Sequence, residues 1–223
     1  MTAGLATLRL LQLASPAMPV GAYNFSQGLE YASEAGWVGD ETRTGDWILG
    51  LARNGLSTLD LPILLRLHAG WSAGDVQAIE RWNQQLLASR ETAELRAEER
   101  HMGQALAKVL VALGFEPAAG WLQRDACYAT LFTLAAVRGQ IGARECGQAY
   151  LWAWAENQVL AALKLLPLGQ TAGQRILDRI LVEIPALCER AAVLDDEDLG
   201  VAAPRHAMAS AWHETQYSRL FRS

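Results

Sequence analysis

The sequence is short of the features that staple a chain, anchor it or give it one sign of charge. Its three cysteines, Cys127, Cys146 and Cys188, are widely spaced and odd in number, and no CxxC pair occurs. Neither a disulfide framework nor a thiolate zinc site is indicated, which leaves small buried thiols in a reducing compartment. No stretch approaches the roughly 18–20 uninterrupted apolar residues of a membrane span. The apolar start, residues 5–14, is interrupted by Arg9 and Gln12 and follows no basic region, so it does not read as a signal peptide. A soluble, cytoplasmic chain is the expectation. Lys and Arg number 19 against 24 Asp and Glu, giving a net charge of -5, and no basic run offsets that balance. This argues against a nucleic-acid binder. Strand-like alternation, internal repeats and low-complexity tracts are also missing.

What is present is apolar bulk. With 51% hydrophobic residues in 223, one domain can bury a sizeable core. Eight tryptophans serve either a private core or an interface with a partner. The periodicity is helical nearly throughout, so we expect an all-α single domain, 1–223, a bundle of about nine to ten helices. Leu5, Leu8 and Leu11 mark a first helix that Pro16 and Pro19 end. Ser26 caps a second over 28–35. A third carries Trp47 and Leu51 and ends near Gly55, and Ser57 or Thr58 opens a fourth, with Pro62 in its first turn. Others are expected at 75–87, 91–113, 121–137, 143–166, 170–193 and 205–215. In 91–113, Arg90 with Glu94 and Arg96 with Glu99 stand at helical spacing, the pattern of a solvated face or of a partner surface. The acidic run 195–198 reads as a hinge before a C-terminal segment.

Catalytic patterns come close and fail. Gly50 to Ser57 has the glycine spacing of a phosphate loop, but Leu56 stands where the lysine belongs and no apolar strand precedes it. His213-Glu214-Thr215-Gln216-Tyr217 begins like the zinc motif HExxH, with Tyr217 in place of the second histidine. His68, His101 and His206 have no local partner at ligand spacing. No catalytic residue, resident metal or cofactor is assigned.

Three segments stand out. From Leu10 to Glu30, two prolines and Gly21 fix an extended connection carrying Met18, Val20, Tyr23 and Phe25, either a tight interhelical turn or an exposed ridge. From Tyr150 to Gln174, a helix apolar almost all round should be the central buried element. On it Asn157 and Lys164 share a face, and Lys164 either snorkels to water or meets another subunit. The tail, about 205–223, places Tyr217, Leu220 and Phe221 at i, i+3 and i+4 beside Arg219 and Arg222, and docks either on its own domain or on another protein.

These segments resemble the motifs LLQLxSPxxPVGxYxxSxGLE, KLxPLGQxxGQ and terminal HExxYSRLFxS of the urease accessory protein F family, in that order, with Asp60-Leu-Pro and the stretch from Ser89 to Arg96 as further landmarks. The resemblance implies an all-helical, non-enzymatic homodimer. It would bind urease accessory protein D (H in some species), recruit the nickel-carrying GTPase G, and assist nickel insertion into apo-urease, with nickel and GTP chemistry left to the partners. It also implies partner-interface candidates: Tyr23, Glu30, Asp60, Lys164, His213, Glu214, Tyr217, Arg219, Leu220 and Phe221. Within that set it implies a contact between Tyr23 and Arg219, and Lys164 and Asp60 on the face toward G. The competing readings are a helical metal-dependent hydrolase built on His213 and Glu214, and a helical adaptor unrelated to urease.

Overall fold

Short polar side chains start several helices where the sequence puts them. In a computed structural model, which describes residues 3–200 and 203–223, Asp40 accepts the Arg43 N–H at 2.8 Å, Asp75 that of Ala78 at 3.0 Å, and Thr92 that of Leu95 at 3.2 Å. The helices are α1 (Ala3–Ala14), α2 (Leu29–Glu34), α3 (Glu41–Leu51), α4 (Leu61–Ala73), α5 (Val76–Ala88), α6 (Ala93–Ala112), α7 (Tyr128–Arg138), α8 (Ala143–Leu165), α9 (Gln170–Leu181), α10 (Ile184–Ala192) and α11 (Pro204–His213). No strand occurs among the described residues.

The apolar helix α8 is the centre, as its composition requires, with α1, α2, α3, α4, α9 and α10 packed around it. Phe132 and Tyr150 meet edge-on at 5.4 Å in the main core. α6 closes on the connection just before α7 so tightly that a Cβ on Gly103 would lie 1.9 Å from Ala126 O.

Four expectations need correction. The third and fourth helices are one run: a π-helical segment, Ala52–Asp60, joins α3 to α4 without a break. Gly55 looks like a stop and Pro62 like a first-turn residue of a new helix, but the wider turn carries the chain through. Pro62 has no N–H to give to Thr58 O, and Gly200 N fills that place at 2.9 Å. This run, Glu41–Ala73, is long and apolar enough to cross a membrane, but 61% of its apolar window is buried inside the fold. The helix expected at 170–193 is divided into α9 and α10 by Pro185, which cannot donate to Leu181 O. The helix expected from 121 starts only at Tyr128. A 3₁₀ turn, Glu116–Trp121, precedes it, and Asn83 Oδ1 takes the Cys127 N–H at 2.8 Å and holds the connection outside the helix. Finally, the charged half of α6 is not a solvated face, for reasons that belong to the site.

Candidate partner-docking site

The tail folds back on its own chain, and Glu30 is the reason. Glu30 stands in the first turn of α2, held there by Ser26, whose Oγ accepts the Glu30 N–H at 3.2 Å. Its buried carboxylate accepts the backbone N–H of Leu220 at 2.6 Å and of Phe221 at 2.8 Å. Gly28 makes the approach possible: its φ is +76°, and a Cβ there would lie 2.9 Å from Ser210 N on α11. Farther along, Ser26 Oγ donates to Ser223 O at 2.6 Å, and Ser223 Oγ donates to Glu98 Oε2 at 2.8 Å. Phe221 sits in a small core with Leu29, Ala32, Val38 and Ala162.

His213 completes the clamp. It is fully buried at the end of α11, its Nδ1 2.6 Å from Glu94 Oε2 and its Nε2 3.2 Å from Glu30 Oε2. Each ring nitrogen thus faces a carboxylate oxygen, and the ring ties α11 to both α2 and α6. Glu94 also pairs with Arg219 at 2.6 Å. Glu214 accepts the N–H groups of Ala93 and Glu94 at 2.8 and 3.2 Å, a negative charge on the exposed first turn of α6. Both members of the HExxH-like start are therefore occupied by structural bonds. Among the described residues no group of three or more His, Cys, Asp and Glu is placed to hold a metal ion. The Gly50–Ser57 stretch is helical, so its backbone N–H groups form no phosphate cradle.

The candidates thus separate. Glu30, His213 and Phe221 are buried within the chain and position the tail. Asp60 is buried as well, paired with Arg90, which also binds Glu99. Arg90 lies just before α6 and turns inward, so its partner is not Glu94. Likewise Arg96 Nη1 donates to Arg90 O at 2.6 Å instead of pairing with Glu99. Burial alone would lower the Arg90 pKa, but Asp60 and Glu99 outweigh it and raise it well above the ordinary value. The cation beside Tyr23 is Lys164, not Arg219: Nζ lies 5.7 Å from the Tyr23 ring centre and 5.5 Å from that of Phe221. Asn157, on the same face of α8, donates to Phe25 O at 3.2 Å. Facing outward are Tyr23 (61% exposed), Leu220 (66%) and the fully exposed Tyr217.

Sequence reasoning missed Glu94 and Glu98 because charges on a helix at i, i+4 spacing read as surface. Glu98 accepts from Gln27 Nε2 at 2.7 Å as well as from Ser223. Burial, with the neighbouring Glu99 charge, raises its pKa from 4.5 to about 7 against those hydrogen bonds. The folded state therefore holds a proton between pH 4.5 and 7 that the unfolded chain has released. Stability falls as pH rises through that window, by on the order of 3 kcal/mol from this residue. In Glu98→Gln this slope should vanish. Denaturant melts at pH 5 and pH 8 will check it, and an unchanged slope would place the titration elsewhere.

Comparison with known proteins decides the family. The UreF family model matches residues 38–181. A urease accessory protein UreF from Alkalilimnicola ehrlichii is 50% identical, over 99% of this chain and 97% of the relative. Those from Hahella chejuensis and Teredinibacter turnerae are 48% and 47% identical, over 98% and 97% of this chain and 99% and 98% of theirs. The chain belongs to the urease accessory protein F family. The UreF model stops short of both the Tyr23 loop and the tail, but the alignments to the UreF relatives span 97–99% of this chain.

Proposed function

We propose that this chain is a non-catalytic scaffold of urease maturation, a cytoplasmic homodimer that binds accessory protein D (H). Together they recruit the nickel-carrying GTPase G and assist nickel insertion into apo-urease. The observation that carries the reading is the tail. Tyr217 and Leu220 stand exposed on a segment fixed by buried hydrogen bonds, with Tyr23 and Lys164 beside it. A pre-ordered, aromatic-rich projection loses little conformational entropy on docking. Family membership supports the choice of partner.

The test is the double variant Tyr217→Ala, Leu220→Ala. Neither side chain belongs to the buried core, so the melting temperature should stay within a few degrees. Capture of D on co-expression, or of G once D is bound, should weaken at least tenfold, since truncating an anchor typically costs about 1–2 kcal/mol or more. Urease activation in the co-expression strain should fall with it. Complex assembly and activation at wild-type levels would remove the tail from the docking surface.

A further inference from the structure

A cavity of about 470 Å³ lies between the run Glu41–Ala73, α6 and α8, closed on one side by the connection after α1. It shares Tyr23 with the outward face beside the tail, while Tyr217 and Leu220 lie outside its lining. Its size is that of a small-molecule site. Met18, Leu56, Leu95, Met102 and Trp154 supply apolar wall. The polar lining has three features that belong together. Asp60 and Glu99 share the single guanidinium of Arg90, so carboxylates outnumber cations in that buried group. The phenols of Tyr128 and Tyr150 line the same space, and neither hydroxyl has a hydrogen-bond partner among the described residues. Tyr150 as a residue is only 7% exposed. His206 also lines the cavity, and its Nε2 is buried without a partner.

We propose that this cavity binds a small organic ammonium ion, such as an aliphatic diamine. An ammonium group donates and never accepts, and it needs oxygen or neutral imidazole acceptors and a local negative charge. Phenol oxygens, an imidazole and the Asp60–Arg90–Glu99 group supply those, and the aromatic walls suit a cation beside them. Burial lowers the pKa of His206, which favours its neutral ring. An anionic ligand would face Asp60, Glu98 and Glu99 with Arg90 already saturated by carboxylates. A neutral polar ligand would leave the negative charge as it is.

Three four-carbon probes test the charge directly: 1,4-diaminobutane, 1,4-butanediol and succinate, titrated calorimetrically into the full chain at fixed ionic strength. The diamine should bind one to one, with the diol and the dicarboxylate at least tenfold weaker. Tyr150→Phe, which removes one oxygen and keeps the ring, should weaken the diamine about threefold or more. Ala153→Phe, which fills the cavity from α8, should abolish binding; Ala153 lies on the cavity wall. Absence of saturable diamine binding at millimolar concentration overturns the proposal, as does equal binding of the diol or succinate. Diamine binding to Ala153→Phe at wild-type affinity would place the ligand elsewhere and overturns it too. If Ala153→Phe does not fold, Tyr150→Phe decides, and a loss below twofold counts against the site.

Discussion

Replacing Arg90 with methionine should destabilise the chain by about 3–5 kcal/mol, the usual consequence of removing one partner from a buried ionic group. Arg90 holds two carboxylates from different parts of the chain, Asp60 on the π-helical segment and Glu99 on α6. Glu99 Oε2 in addition accepts the Tyr128 N–H at 3.0 Å, so the group ties the start of α7 to the pair. Methionine matches the length of the side chain but leaves two buried negative charges without a counter-ion. They can escape only by taking up protons or by opening the structure to water. Urea melts at pH 7 will measure the loss. The same melts on a triple variant, Arg90→Met with Asp60→Asn and Glu99→Gln, should recover part of it, because the uncompensated charge and not the lost packing dominates. A single-variant loss under 1 kcal/mol would mean that water already reaches the carboxylates.

Glu30→Ala should have the second-largest effect, and it should be local. The variant removes the acceptor of two backbone N–H groups and one of the two carboxylates facing His213. Hydrogen bonds to a charged group contribute about 1.5–3 kcal/mol each, so the tail should lose on the order of 3 kcal/mol of local stability. Amide exchange at Leu220 and Phe221 should quicken about a hundredfold, while the helices of the main core keep their protection. Partner capture should fall as in the Tyr217 and Leu220 double variant, although every outward-facing side chain is intact. Unchanged exchange at those two amides would mean that Phe221 packing alone holds the tail.

Much of the architecture could be read from spacing, because a helix writes its buried face into the sequence every three or four residues. The helices α5, α6 and α8 lie within a few residues of where their patterns put them. The limits arose where a long-range partner overrides a local signal. Pro62 reads as the first turn of a new helix only while Thr58 O lacks another donor, and that donor is Gly200, far away in the chain. Arg90 sits at pairing distance from Glu94 in sequence, yet its partners are Asp60, 30 residues back, and Glu99. Glu30 and His213 are 183 residues apart, and neither one alone has any local mark of a clamp. The family motifs brought the right segments forward without saying which side chains face inward. Tyr23 illustrates the difference, since the motifs paired it with Arg219 and the fold sets it against Lys164.

The π-helical segment has a consequence for how the chain can change length. Loops absorb an added or deleted residue because their ends stay where they are. Inside the run Glu41–Ala73 there is no such slack: one residue more or less turns everything beyond it by about 100° and slides it about 1.5 Å. Ile48 and Leu49 on one side and Leu61, Ile63, Leu64 and Leu67 on the other are buried together, and only the wider turn between them keeps both sets in phase with the core. A single-residue deletion between 52 and 60 would swing those leucines out of register, carry Asp60 away from Arg90 and withdraw Thr58 O from Gly200 in one step. Natural variation in this stretch should accordingly consist of exchanges of side chains, with the number of residues held constant.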